Sequence, residues 1–231
     1  MQPISEIAKA VRNKRKEYNS EIYFHTDASQ APLYFSLNTL KLGVDMMTLG
    51  GHKMYGPKGI GCLYIKKDTN INLPRTGTEN VPLIVGFAKA LELAEAEKQE
   101  ESDRLKILRD YFISELKNKI PRAGINGSRE ARAPNNVNVY ISNMNAEFMA
   151  IILDNNDIAC ATRSACREGE AGPRPASLGL EEEGSYVIEV LGYSKERSKS
   201  SLRFSLGKDT TKADIDYVVK ILGESIKKYS A

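Results

Sequence analysis

Two short apolar runs, Val44-Asp45-Met46-Met47-Thr48-Leu49 and Gly61-Cys62-Leu63-Tyr64-Ile65, flank the stretch Gly50-Gly51-His52-Lys53-Met54-Tyr55-Gly56-Pro57-Lys58-Gly59-Ile60-Gly61. Runs of this length bounded by glycine read as β-strands. The first of them leads into Gly50-Gly51 and brings Lys53 to the edge of a sheet, where the glycines let the backbone approach a phosphate closely. A third run of strand character, Ile22-Tyr23-Phe24-His25, leads into Thr26-Asp27-Ala28-Ser29-Gln30. Asp27 is therefore expected just beyond a strand end, at the carboxyl edge where open α/β sheets bind ligands.

A lysine amine and a carboxylate at one such edge suit pyridoxal phosphate. The amine can form a Schiff base with the cofactor aldehyde, and the carboxylate can keep the pyridine nitrogen protonated, so that electrons drain into the ring. Lys53 and Asp27 form this pair. Taken singly, each has a plainer reading, Asp27 as a helix cap and His52-Lys53 as an exposed turn beside glycines.

The two segments together closely resemble the NifS/IscS-type cysteine desulfurases, class V aminotransferase-like pyridoxal enzymes. Their pattern is His-x-Asp-Ala-x-Gln followed by Ser-Gly-His-Lys-x-x-Gly-Pro-Lys-Gly. The resemblance implies Lys53 as the Schiff-base lysine, Asp27 as the pyridinium partner, Gln30 as a donor to the ring hydroxyl and His52 as a phosphate contact. The family usually has Ser or Thr two residues before the histidine as a phosphate ligand, and this chain has Gly50 there. Arg75-Thr76-Gly77-Thr78 resembles the family's Arg-Ser-Gly-Thr element, which implies that Thr78 reaches the cofactor phosphate of the partner subunit in a homodimer. By composition alone this is a loop feeding a helix, with Pro82 near its first turn.

The desulfurase reaction needs a thiolate that takes sulfur from L-cysteine and leaves alanine. Cys62 lies within a strand and is expected to be a buried small hydrophobe; Cys160 follows a strand end. Cys166, in Arg163-Ser164-Ala165-Cys166-Arg167, sits in a glycine- and proline-containing loop beside arginines that favour thiolate. It matches the family's Gly-Ser-Ala-Cys nucleophile, with Arg163 in place of glycine and a longer segment, Gly169 to Gly184, after it. Without the motif it reads as an unpaired loop cysteine, and Cys160 remains available to resolve a persulfide or to pack. Ser200-Ser201-Leu202-Arg203-Phe204-Ser205-Leu206-Gly207 resembles the family's Ser-x-Arg-Phe-Ser-Leu-Gly strand, which implies that Arg203 binds the substrate carboxylate with both arms of its guanidinium. Without that likeness it reads as an edge-strand charge paired to an acid.

The resemblance further implies sulfur delivery to an acceptor or iron–sulfur scaffold protein. Two other readings stay open, a selenocysteine lyase or related class V enzyme, for which Cys166 is dispensable, and a non-catalytic sulfur-transfer partner or dimerisation module. The 231 residues carry a net charge of +3 with acids and bases interspersed, as in Lys98-Gln99-Glu100-Glu101-Ser102-Asp103-Arg104. Such runs are solvated helix faces and argue against nucleic-acid binding. Two histidines and no CxxC argue against a zinc site. No apolar run has spanning length and the N-terminus lacks a signal-like apolar core, so the cytoplasm is the expected location.

Helices are predicted over Ile4–Tyr18, Pro82 to about Lys98, Asp103–Ile120, Ala146–Asn155 and Lys212–Lys228, with a break near Ser102. They alternate with the strands, which means α/β. The expected architecture is the C-terminal portion of a pyridoxal-dependent transferase of fold type I, aspartate aminotransferase-like. Residues 1–104 would be the remainder of a large domain with a parallel or mixed sheet, and 105–231 a smaller C-terminal α+β domain carrying the cysteine loop. In the family the segment Gln2-Pro3-Ile4-Ser5-Glu6-Ile7 lies well inside the chain, so the sequence is expected to be a fragment without the histidine that stacks on the ring, the Gly-Ala-Thr-Glu turn that holds the phosphate and half the parallel sheet, and whether it is active or inactive alone stays open.

Overall fold

The computed structural model describes residues 1–71, 77–163 and 184–229. Contacts divide the chain into two units, Met1–Ser102 and Asp103–Ala231.

The first unit opens with helix α1, Ile4–Tyr18, closed by a left-handed Asn19 whose N–H returns to carbonyls of the last turn. Strand β1 is His25–Asp27, followed by a single helical turn α2, Thr39–Leu42, and strand β2, Met46–Gly50. A 3-10 turn, Gly51–Met54, then leads to β3, Gly61–Ile65. The sheet order is β1-β2-β3; β1 runs parallel to β2 and β3 antiparallel to it, so the sheet is mixed. Met47 and Leu49 turn one face of β2 into a core with Val44, Met54, Phe87 and Ala94, following the two-residue period of a strand.

β1 starts three residues later than the apolar run suggested, and the cause is Asp45. Its carboxylate accepts the Phe24 N–H at 2.9 Å and a guanidinium hydrogen bond from Arg15 at 2.7 Å, while the Ile22 carbonyl also accepts from Arg15. Residues 22–24 are thus held by these side chains together with the Phe24 carbonyl, which accepts the Asp45 N–H at 2.9 Å and the Met46 N–H at 3.2 Å. Burial by itself would push the Asp45 carboxyl up, but the Phe24 N–H and Arg15 outweigh it and hold it below the ordinary carboxylate value. A carboxyl depressed in the folded state contributes stability that is whole above its unfolded value of about 4 and is lost as pH falls through the folded value. Asp45→Ala should cost about 1.5–3 kcal/mol at neutral pH, and Asp45→Asn should flatten the acid limb of a thermal-midpoint versus pH curve below about pH 4. An unchanged acid limb would contradict this role.

Cys62 was expected inside the core and is exposed. Among the described residues β3 pairs only with β2 and forms the edge of the sheet, so its first residues remain in solvent. The break expected near Ser102 is also absent, since α3 is one helix, Val81–Lys119, of 39 residues. From Phe87 to Lys119 it contains neither glycine nor proline and is rich in Ala, Leu, Glu and Lys, which overrides one serine.

The second unit contains an antiparallel sheet ordered β4-β5-β6, formed by Ala123–Ile125, Asn136–Ile141 and Ser201–Ser205. Its described helices include α4, Ala146–Asp154, α5, Tyr186–Val190, α6, Lys195–Lys199, and α7, Lys212–Tyr229. Val137, Val139, Leu202 and Phe204 bury one sheet face with Phe112, Leu116, Ile215 and Leu222, and Phe112 meets Phe204 edge to face at 5.3 Å. The start of α7 is capped reciprocally, since the Thr211 N–H donates to Asp214 at 2.8 Å and the Asp214 N–H to the Thr211 hydroxyl at 3.3 Å. A buried polar network ties the sheet to α6. Asn126 donates to Asn138 at 2.7 Å and Ser201 at 2.8 Å and accepts from Arg197 at 2.7 Å, and the Arg197 guanidinium lies between the rings of Tyr140 and Tyr193 at 3.9 and 3.7 Å.

Candidate functional site

In the first unit, two turns meet at Gly50. Asp27 ends β1 opposite Thr48, and the Ala28 N–H donates to the Thr48 carbonyl at 2.9 Å, which draws the chain after β1 over the end of β2. Asp27 and Ser29 then form a tight turn in which the Ser29 N–H donates to the carboxylate at 2.9 Å. A side chain built on Gly50 would stand 3.5 Å from Ser29 Oγ and 3.5 Å from His52 Cε1. The turn after Asp27 and the turn bearing His52 and Lys53 therefore flank the same Cα.

The loop carrying His52 and Lys53 is held from behind. The Gly51 N–H donates to the Ile60 carbonyl and the Gly56 N–H to the Gly51 carbonyl, both at 3.0 Å. A Cβ on Gly51 would lie 2.9 Å from the Pro57 carbonyl oxygen, and one on Gly56 would lie 2.9 Å from Ala90 Cβ on α3. Close approach requires glycine at both positions. Met54 is 2% exposed in the core, so the 3-10 turn presents an inner side, Gly51 and Met54, and an outer side, His52 and Lys53, which are exposed. The Lys53 amine has no hydrogen-bond or ion-pair partner among the described residues.

Electrostatically, Asp27 is an anion. The Ser29 hydroxyl and the Ser29 N–H both donate to it and hold its carboxyl below the usual carboxylate range, against a smaller opposing effect of burial, and His25 adds to the lowering. His25 Nε2 lies 2.6 Å from Thr48 Oγ1 on the neighbouring strand. Gln30 is exposed in the turn after Asp27. Thr78 is exposed ahead of α3, whose start is capped by the Asn80 side chain accepting the Leu83 N–H at 3.2 Å. Arg75 and Thr76 lie outside the described residues.

In the second unit, Arg203 lies on β6 and is half-buried. Its guanidinium has no hydrogen-bond or ion-pair partner among the described residues, which differs from the edge-strand charge pair that composition alone suggested. Arg203 and Ala161 exchange backbone hydrogen bonds at 2.7 and 3.0 Å. This bridge ties the segment that follows Cys160 to the strand bearing Arg203. Arg163 ion-pairs with Glu147 at the start of α4. Cys166 lies outside the described residues, as does most of the long segment after it.

Two features of this arrangement escaped the sequence reading. One is the proximity of Ser29 to Gly50, which depends on the β1–β2 register; the sequence signal was only the Asp-x-Ser turn itself. The other is the Ala161–Arg203 bridge, for which no local pattern exists.

The family model for class V aminotransferases matches residues 1–76 and 72–218. The chain is 39% identical to a cysteine desulfurase IscS of Dictyoglomus turgidum, over 99% of this chain and 56% of that protein. It is 37% identical to a cysteine desulfurase IscS of Methanosarcina thermophila, over 99% of this chain and 54% of that one. Among solved structures it is similar to a NifS-like protein with a TM-score of 0.79 at 28% identity, covering 98% of this chain and 57% of the other. A NifS-like protein of Rickettsia africae gives a TM-score of 0.77 at 29% identity, covering 97% and 57%. The chain spans about half the length of the curated relatives it matches. No helix among the described residues is long and apolar enough to cross a membrane.

Proposed function

Because the chain belongs to the class V aminotransferase family, we propose that it carries the lysine, nitrogen-pairing and sulfur-handling residues of a pyridoxal 5'-phosphate-dependent cysteine desulfurase. The observation that carries this reading is the Gly50 junction, where the Asp27 turn and the His52-Lys53 turn flank one Cα. The residues fit the cofactor by the chemistry of their donor set. An ionised Asp27 suits a protonated pyridine nitrogen, the exposed Lys53 amine suits an aldehyde, and His52 beside an open glycine suits a phosphate. Gln30 would donate to the ring hydroxyl, and in a homodimer Thr78 would reach the phosphate held by the other subunit.

When bound, pyridoxal phosphate supplies an electron sink next to the substrate α-carbon. Lys53 moves the proton at that α-carbon, and Asp27 keeps the sink cationic. Arg203 binds the carboxylate of L-cysteine through two parallel hydrogen bonds. The Cys166 thiolate attacks the substrate sulfur; the new S–S bond forms as the C–S bond breaks, and the electron pair left on carbon takes up a proton, giving L-alanine. Cys166 is left as a persulfide, from which an acceptor protein, such as an iron–sulfur scaffold, takes the sulfur.

The test is incubation with pyridoxal phosphate and L-cysteine, measuring alanine and thiol-releasable sulfide together. The proposal expects the two in equal amounts, lost together in Cys166→Ala and kept in Cys160→Ala. Sulfide release retained by Cys166→Ala would overturn Cys166 as the sulfur acceptor. Arg203→Lys should raise KM for cysteine by about tenfold or more, with kcat and the thermal midpoint little changed. An unchanged KM would remove Arg203 from substrate binding.

A further inference from the structure

Gly50 leaves a gap at the junction of the two turns. A Cβ there would make only ordinary contacts, 3.5 Å to Ser29 Oγ and 3.5 Å to His52 Cε1, and 3.6 Å to Ser29 Cβ. The gap is thus flanked by one hydroxyl and one imidazole, and it lies beside the position from which a Ser or Thr side chain would otherwise offer a hydroxyl of its own.

We propose that Ser29 is a further cofactor-binding residue of this site, whose hydroxyl, together with the His52 ring, binds the cofactor phosphate over Gly50. The inference rests on the reading that the chain binds pyridoxal phosphate. It assigns to Ser29, on the turn after β1, the hydrogen bond that Gly50 cannot make. The hydroxyl of Ser29 also donates to Asp27, but the Ser29 N–H donates to the same carboxylate at 2.9 Å. Rotation of the hydroxyl toward a phosphate leaves Asp27 its backbone donor. Both acceptors are charged, so the rotation exchanges one charge-assisted hydrogen bond for another.

The experiment compares equilibrium binding of pyridoxal 5'-phosphate with that of pyridoxal, which lacks the phosphate, by absorbance titration of the full chain. Ser29→Ala should weaken binding of the phosphorylated ligand by about tenfold or more and that of pyridoxal by much less. Ser29→Thr, which keeps the hydroxyl, should bind like the unmodified chain. Adding Gly50→Ser to Ser29→Ala should restore binding, because the new hydroxyl grows into the same gap. Unchanged affinity in Ser29→Ala would overturn the proposal, and an equal loss for both ligands would overturn it in favour of an effect through Asp27 alone. Binding of neither ligand by the unmodified chain would overturn the proposal together with the functional reading beneath it, whereas the previous two results leave that reading standing.

Discussion

Lys53→Ala should abolish covalent attachment of pyridoxal phosphate and lower cysteine-dependent sulfide release by about 10²–10⁴-fold, the range that a positioned proton-transfer group contributes. The amine is exposed on the outer side of a 3-10 turn and has no described partner, so its removal leaves the fold intact. The thermal midpoint should change little, since an exposed substitution away from packed contacts stays within about 0.5 kcal/mol. Met54, one residue on, keeps the turn anchored in the core. Lys53→Arg should behave like the alanine variant, because a guanidinium retains the charge but stays protonated and does not form the covalent link. Full activity in either variant would show that another amine does the work.

Asp27→Ala is the second large effect. A fixed carboxylate under a developing charge acts without reorganising during the reaction, and removing one such group costs about 10²–10³-fold in kcat. Asp27 is held ionised by two donations from Ser29, so the anion is in place before any ligand arrives. Asp27→Asn keeps the shape and the turn but loses the charge, and should fall nearly as far as alanine. Its rate should be measured at saturating cofactor, which separates lost chemistry from lost binding. An asparagine variant with unimpaired kcat would mean that the pyridine nitrogen finds no use for this carboxylate.

What could be read from the sequence was chiefly local. α1 spans Ile4–Tyr18 and β3 spans Gly61–Ile65, as their periodicity and bounding residues indicated. The placement of Asp27 and Lys53 next to strand ends was legible for the same reason, because each depends on a few neighbouring residues. What depended on tertiary structure was not legible. Cys62 has the composition of a core residue, but only the sheet order makes β3 an edge. β4 is three residues long and exists through its pairing with β5; a Cβ on Gly124 would collide with the Tyr140 ring at 2.3 Å, a contact no local pattern announces. The Asn126–Arg197 bond joins residues 71 apart in sequence, and the approach of Ser29 to Gly50 follows from the β1–β2 register. The predicted break near Ser102 does not occur, because one serine does not interrupt a run of strong helix formers.

The most direct test of the central claim is to add pyridoxal 5'-phosphate to the purified chain, reduce with borohydride and locate the modified lysine by mass spectrometry. One stoichiometric pyridoxyl adduct is expected on Lys53, and none in Lys53→Ala. Adducts scattered over the other exposed lysines, or none at all, would contradict it.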